Sequence, residues 1–303
     1  MGNRRRPGRD VTGILLLDKP RGSTSNRALQ QAKRLFRAAK AGHTGSLDPL
    51  ATGMLPICFG AATKLAGYLL DARKTYSVTA ELGVATDTGD ADGAVTARSD
   101  APAPSEARLR TALAAFVGEI EQTPPMHSAL KHDGRRLYEL ARRGVVVERK
   151  PRRVRIFAAT LDEYVWPRCR FTVTCSKGTY IRSLVADLAS EAGTLGHVAA
   201  LRRLAVEPFR EADMVGLEAL EAAAASGLSA LDAFLLPLDA ALPDWPSVEV
   251  DAADALRLSQ GQAVPAGPAW PRGLVRIQAR GAGMIGIGEV LPEGRLAPRR
   301  WLA

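Results

Sequence analysis

The sequence predicts an α+β fold ending in a small β-rich module, and three observations point to it. Tyr76, Val78, Ala80 and Leu82 alternate as one face of a strand, and Phe171 to Cys175 does the same. Leu29, Ala32, Phe36 and Ala39, and later Ile181, Leu184, Val185 and Leu188, recur at helical spacing, so strands and helices are mixed along the chain. Pro237, Pro243 and Pro246 then mark a linker, after which Leu274 to Val290 reads as two more strands. At 303 residues and 46% apolar, the chain can bury a substantial core and is expected to hold two domains.

The elements follow in order. Residues 1–10 are expected to form a disordered basic tail, carrying Arg4, Arg5, Arg6 and Arg9. Ile14 to Leu17 reads as a buried strand ended by Pro20 and Gly22. Thr24 or Ser25 can cap the first helix, and Gly42 is expected to stop it. Gly42 to Pro56 is expected to be a loop running from exposed to buried. The Tyr76–Leu82 strand leads into an Asp- and Gly-rich loop at Thr86–Gly93, and Ser105 caps a helix bearing Leu109, Leu113, Phe116 and Val117. Residues 124–153 differ: long, basic and bracketed by prolines, they have the composition of a functional arm. Lys177-Gly178 turns the chain into the helix of Ile181–Leu188. An acidic, Ala-rich span at 211–236 is expected to contain a surface helix, and Asp251 to cap a short helix ending near Gly261. Gly281 to Gly286 formally matches a dinucleotide fingerprint, but no βαβ unit can follow it in the residues that remain.

Charge and cysteines limit the function classes. The formal charge is +9, and from Lys131 to Arg155 ten Lys or Arg face only Asp133, Glu139 and Glu148. From Glu211 to Pro246 there are seven acids and no Lys or Arg. This asymmetry suits a protein with one face turned to phosphate, although a solvated charged face has the same composition. Cys58, Cys169 and Cys175 lack metal-type spacing and read as buried thiols, and four scattered histidines suggest no zinc cluster, so no metal is expected. No apolar run approaches the ~20 residues of a membrane span. The basic N-terminus lacks the apolar segment of a signal peptide, so a cytoplasmic location without membrane association is expected.

The chemistry concentrates in Gly42-His43-Thr44-Gly45-Ser46-Leu47-Asp48-Pro49-Leu50, continuing to Pro56. Gly42, Gly45 and Gly53 permit positive φ or close approach of backbone to a ligand. Pro49 restricts Asp48 to extended geometry, so its carboxylate is aimed. An aimed, buried carboxylate serves nucleophilic or acid–base work, whereas an isolated Asp-Pro more often just starts a turn.

The whole string closely resembles the catalytic motif of the TruB family of tRNA pseudouridine synthases. Further resemblances follow in order: Gly13 to Pro20; Lys74-Thr75-Tyr76 with Thr86-Asp87-Thr88-Gly89-Asp90; Pro124 to Lys131 continuing to Arg142; Lys177 to Leu184; and Leu201-Arg202-Arg203-Leu204. Two departures are small: Ser46 stands where the family usually has alanine, and His127 where an aromatic is frequent.

The resemblance implies a pseudouridine-synthase-like mixed, mainly antiparallel sheet flanked by helices. It divides the chain into a catalytic domain at 11–246, with a basic RNA-gripping arm at 124–153, and a PUA-like RNA-binding module at 247–303. The activity implied is isomerisation of uridine 55 in the T-loop of tRNA, with the base flipped out of its stack and no cofactor. Asp48 is the implied catalytic carboxylate, which must be ionised although burial opposes this, and Arg182 is the implied cationic partner. The carboxylate can attack C1′, attack C6 or remove the ribose 2′ proton, and the sequence does not choose. Tyr76 is expected to stack on the uracil, with a core tyrosine as the alternative. Tyr180 is expected to pack on the other side of the base or sugar and to orient Asp48 through its hydroxyl. By resemblance, Leu201 contacts the base edge through its backbone and His43 helps displace the nucleotide, while Lys19 and Pro20 buttress the Asp48 loop. Lys131, Arg135, Arg136, Arg142 and Arg143 are expected to contact phosphates of the T-arm, which positions RNA without reading sequence. No obligatory protein partner is expected. Two competing readings are a non-catalytic RNA-binding or RNA-folding factor and a guide-dependent relative. The set of Asp48, Tyr76 and Arg182 argues against the first, and the basic arm against the second.

Overall fold

The computed structural model describes residues 8–303 except Ala129, Asp133, Arg142 and Ala282, and describes the backbone alone at Lys131, His132, Arg136 and Tyr138. A nine-stranded mixed sheet dominates. Its order is Val215–Gly216, Gly13–Lys19, Thr52–Phe59, Gly196–Val206, Lys74–Leu82, Arg168–Cys175, Arg152–Val165 and Gly118–Gln122, with Ala41–His43 also paired to Thr52–Phe59. Most neighbours run antiparallel; Gly13–Lys19 with Val215–Gly216, and Thr52–Phe59 with Gly196–Val206, are parallel.

The local chemistry explains the elements. In Lys74–Leu82 every second residue from Lys74 to Leu82 is buried, as alternation requires. Tyr76, Val78, Ala80 and Leu82 pack with Leu109, Leu113, Ile181, Leu184, Val185 and Leu188 into one core, so the Glu106–Ala115 and Ile181–Glu191 helices cover the face of the sheet that bears Tyr76. Ser105 accepts from the Arg108 N–H and Thr24 from the Arg27 N–H, each acting as an N-cap.

The first helix ends at Leu35, with Phe36 as its C-cap and Arg37 in the left-handed region at φ 50°, so the chain turns before Gly42. Gly42 lies in the short Ala41–His43 strand with open space beside it. The expected loop at 42–56 is therefore shorter: both of its ends are strand, and 44–51 is the connection between them. The acidic span forms two helices, Leu217–Ser226 and Leu228–Asp232, because Gly227 breaks the line at φ +117°. The fold also begins before residue 11. Arg9 exchanges backbone bonds with Arg37 and Ala39 and forks onto Asp232 at 2.6 and 2.7 Å; residues 1–7 of the expected tail lie outside the described residues.

A five-stranded sheet follows, ordered Ser247–Val250, Gly273–Ala279, Gly283–Val290, Arg295–Trp301 and Val264–Pro265. Asp251 caps its Ala252–Ser259 helix by accepting from the Asp254 N–H. The proline-marked stretch before it is packed: Ala241 and Leu242 share a cluster with Leu65, Leu69, Met284, Ile287 and Leu302, and Trp245 meets Tyr68 edge-on at 5.3 Å. Among the described residues no helix is long and apolar enough to cross a membrane.

One glycine fixes how the 44–51 connection enters the sheet. Gly53 has φ +96°, and a Cβ there would lie 2.3 Å from the Arg203 carbonyl oxygen and 2.8 Å from the Arg203 nitrogen. Gly53→Ala is expected to cost roughly 2–4 kcal/mol, through backbone strain and the forced separation of two paired strands, read as a lowered urea midpoint.

Candidate active site

Asp48 sits in the 44–51 connection, and its neighbours determine where it points. Leu47 and Leu50 are buried in the main core, which leaves the intervening carboxylate facing outward. Ser25 clamps one side: its Oγ accepts from the Leu47 N–H at 2.7 Å and donates to the Leu47 carbonyl at 3.0 Å. The Pro49 carbonyl clamps the other, accepting from the Gly22 N–H at 2.8 Å and from Lys19 Nζ at 3.5 Å. Lys19 is fully buried and also donates to the Pro20 and Ser23 carbonyls, at 2.9 and 2.6 Å. These bonds tie the start of the Asp48 turn to residues 20–23, and the ring of Pro20 is exposed while its carbonyl accepts from Lys19. Burial lowers the Lys19 ammonium to about 8, with the Asp48 charge opposing the fall and the Arg203 charge adding to it.

Arg182 is brought to the same point from the opposite side of the core. It is the second residue of the Ile181–Glu191 helix, whose Ile181, Leu184 and Val185 anchor it in the cluster that holds Leu47 and Leu50. Its Nε lies 2.9 Å from Asp48 Oδ2, and its Nη2 donates to Asp48 Oδ1 at 3.4 Å. Arg182 Nη1 also donates to the Thr88 carbonyl at 2.9 Å, and Nη2 to the His127 carbonyl at 2.7 Å. The Arg182 side chain is 6% exposed and that of Asp48 41%, so a buried cation holds a carboxylate that is partly open to solvent. Burial raises the Asp48 carboxyl from its ordinary value; the Arg182 charge pulls it down, Asp90 pushes it up, and Lys19 pulls it down again.

Asp90, the last residue of the Thr86–Asp90 motif, also faces Arg182, a contact that nothing local in the sequence signals. It is buried, its Oδ2 is 3.8 Å from Arg182 Nε, and its Oδ1 accepts from Thr88 Oγ1 at 2.6 Å. Arg203 is the second addition. It is 1% exposed, donates from Nε to the Met54 carbonyl at 2.6 Å and from Nη2 to the Gly45 carbonyl at 3.1 Å, and forms no ion pair among the described residues. It faces Tyr76 across the Lys74–Leu82 and Gly196–Val206 strands, with its guanidinium beside the Tyr76 hydroxyl. Only its place in the Leu201–Leu204 motif marked it in the sequence.

Tyr76 is 8% exposed and its ring belongs to the core cluster, so stacking on a base calls for a displacement that uncovers the ring. Burial raises its phenol, and Arg203 opposes that. Tyr180 precedes the Arg182 helix and is half-buried; its hydroxyl lies beside Ser128. The hydrogen bonds of Asp48 to side chains, among the described residues, come from Arg182, so the Tyr180 hydroxyl does not orient the carboxylate here. Leu201 is buried and paired with Val78, with its side chain in the core beside Tyr76. His43 ends the Ala41–His43 strand, half-buried, with Nδ1 buried and without a partner among the described residues; burial and the Arg203 charge lower its pKa.

The arm carries a two-stranded hairpin, Lys131–His132 with Arg135–Arg136, followed by the Leu137–Ala141 helix. Arg135 and Arg143 are exposed. Arg142 lies outside the described residues, as do the side chains of Lys131 and Arg136. No group of His, Cys, Asp and Glu suited to a metal ion occurs among the described residues.

Comparison with known proteins gives three family models in succession: TruB family pseudouridylate synthase (N terminal domain) at residues 33–181, tRNA pseudouridylate synthase B C-terminal domain at 182–243, and Pseudouridine synthase II TruB, C-terminal, at 246–302. The tRNA pseudouridine synthase B of Xanthomonas campestris pv. campestris (strain 8004) is 52% identical over 96% of this chain and 94% of its own length. That of Ectopseudomonas mendocina (strain ymp) is 52% identical over 99% and 98%. Among solved structures, a Cbf5-Nop10-Gar1 complex contains a chain with TM-score 0.73 and 25% identity, covering 96% of this chain and 85% of that one. Half of all positions shared along nearly the full length of both sequences leaves one lineage: the chain belongs to the TruB family of pseudouridylate synthases, which are isomerases.

Proposed function

We propose that the chain converts uridine 55 in the T-loop of tRNA to pseudouridine, with Asp48 as the reacting carboxylate. The relatives named tRNA pseudouridine synthase B support tRNA as substrate. The observation that carries the site is the 2.9 Å contact of Arg182 Nε with Asp48 Oδ2.

The reaction breaks the bond from ribose C1′ to uracil N1, turns the base and joins C5 to C1′. C5 then gives up its proton and N1 takes one up, so the product is an isomer. An ionised carboxylate can drive the first step by attack on C1′, by attack on C6 or by removal of the 2′ proton, and each route uses the charge that Arg182 holds in place. Tyr76, once uncovered, supplies a flat surface for the flipped base. The catalytic part is assigned to 11–246 and an RNA-binding module to 247–303, in keeping with two separate sheets.

The test uses a tRNA transcript labelled with tritium at uridine C5. Release of one equivalent of tritium per transcript, with no cofactor added, and loss of that release when uridine 55 is replaced by cytidine, are expected. RNA binding without release supports a binding factor instead, and release that survives the replacement moves the target elsewhere.

We assign RNA phosphate contacts to the arm, through Lys131, Arg135, Arg136, Arg142 and Arg143. Neutralising the last four to Gln is expected to weaken tRNA binding about ten-fold or more at 0.1 M salt and to flatten the salt dependence, because each lost phosphate contact removes a released counterion. Filter binding across a salt series reads both; unchanged slopes exclude the arm.

A further inference from the structure

Behind the Asp48–Arg182 pair, the start of the arm is joined to the start of the helix that carries Arg182. Gln122 is the last residue of the Gly118–Gln122 strand, where residues 123–151 leave the sheet before the Arg152–Val165 strand returns with Arg152 opposite Gln122. Its side chain is almost fully buried. Its Oε1 accepts from the Tyr180 N–H at 3.0 Å, and its Nε2 donates to the Tyr180 carbonyl at 3.3 Å. A carboxamide reaching this far from the strand satisfies both with separate atoms, since it presents donor and acceptor side by side. Tyr180 is the N-cap residue of the Ile181–Glu191 helix and makes no side-chain cap bond of its own. The first turn of that helix is therefore held in place by Gln122.

The junction continues past Gln122. Ser183 Oγ donates to the Thr123 carbonyl at 3.2 Å, and Arg182 Nη2 donates to the His127 carbonyl at 2.7 Å. The aim of Arg182 has little tolerance. Its Nε is 2.9 Å from Asp48 Oδ2 and 3.8 Å from Asp90 Oδ2, so a shift of the guanidinium by about 1 Å exchanges its nearer carboxylate.

We propose that Gln122 is a positioning residue for the isomerisation: its carboxamide fixes Tyr180, thereby aims Arg182 at Asp48, and ties the root of the arm to that aim. This rests on the roles given above to Asp48 and Arg182. It differs from a purely structural role in what it moves. A helix merely loosened loses stability; a guanidinium turned away from Asp48 slows the chemical step and makes the carboxylate easier to protonate. Among the described residues, the charged and titratable groups facing Asp48 are Arg182, Lys19, Asp90 and the phenols of Tyr76 and Tyr180.

The experiment compares the full-length protein with Gln122→Ala and Gln122→Glu, by single-turnover tritium release between pH 5 and 8, tRNA binding and thermal unfolding. Gln122→Ala is expected to slow turnover about 10- to 100-fold with tRNA affinity within about two-fold, and to move the acid limb of the rate profile to higher pH. Gln122→Glu, which accepts from the Tyr180 N–H but cannot donate while ionised, is expected to recover part of the rate. Should the alanine variant not fold, the glutamate variant carries the test by the same shift of the acid limb. Rates within two-fold of the unmodified protein, or a rate loss with an unmoved limb, overturn the inference. An unmodified protein that releases no tritium overturns the reading of the site itself, and so the two failures are distinguishable.

Discussion

Asp48→Asn is expected to abolish isomerisation while leaving the fold and RNA binding intact. The replacement keeps size and shape but removes the charge that all three chemical routes need, so the single-turnover rate should fall by about four orders of magnitude or more. The structure explains why the protein should tolerate it. The Asp48 side chain is 41% exposed, and Arg182 keeps Asp90 and the Thr88 and His127 carbonyls as partners, so no buried cation is orphaned. Removing a negative charge from a site that meets a polyanion should leave tRNA affinity unchanged or slightly tighter. Tritium release and filter binding on the same preparation check both; a variant that retains a tenth of the rate contradicts the assignment.

Arg182→Met is expected to lose both activity and stability. The guanidinium is 6% exposed and faces two carboxylates, so its removal leaves buried Asp90 without its cation and Asp48 without the group that opposes its protonation. A cost of about 3 kcal/mol is expected, at the lower end for a broken buried pair because Asp48 is partly solvated. The sign of the pH dependence follows. Without the cation the Asp48 carboxyl is harder still to ionise in the fold than in the unfolded chain, so the deficit is largest at neutral pH and shrinks as acid protonates it. The rate should drop about a thousand-fold, with the acid limb moved upward. Urea unfolding at pH 5 and 7.5 tests the stability claim, which fails if the deficit is the same at both.

Much of this was legible in the sequence because local rules and long-range partners agreed. Alternation from Tyr76 to Leu82 marked a strand with one buried face, helical spacing marked Ile181–Leu188, and Ser105 and Asp251 stood where caps belong. The pairing of Asp48 with Arg182 came from motif resemblance, since 134 positions separate them. The misses have physical causes. The Gly196–Val206 strand carries register shifts near Val198/Ala200 and Arg203/Ala205, which break the period of two, so a central strand did not read as one. The first helix turns at Arg37 in a conformation usually left to glycine, which made Gly42 look like the stop. Pro237 to Pro246 read as a linker because prolines mark breaks, although the apolar residues among them pack. Arg203, Gln122 and Ser25 are buried polar groups whose partners are distant in sequence, and no local pattern announces such partners.

The central claim, an ionised Asp48 held by Arg182 and doing the chemistry, is tested most directly by the pH dependence of a single turnover at saturating enzyme. The account predicts one acid limb, with a midpoint above the ~3.9 of a free aspartate because burial raises Asp48, and a further upward move in Arg182→Lys, which keeps the charge but loses the fork. A rate that stays flat as the carboxylate is protonated, or a limb that the arginine substitution leaves in place, would contradict it.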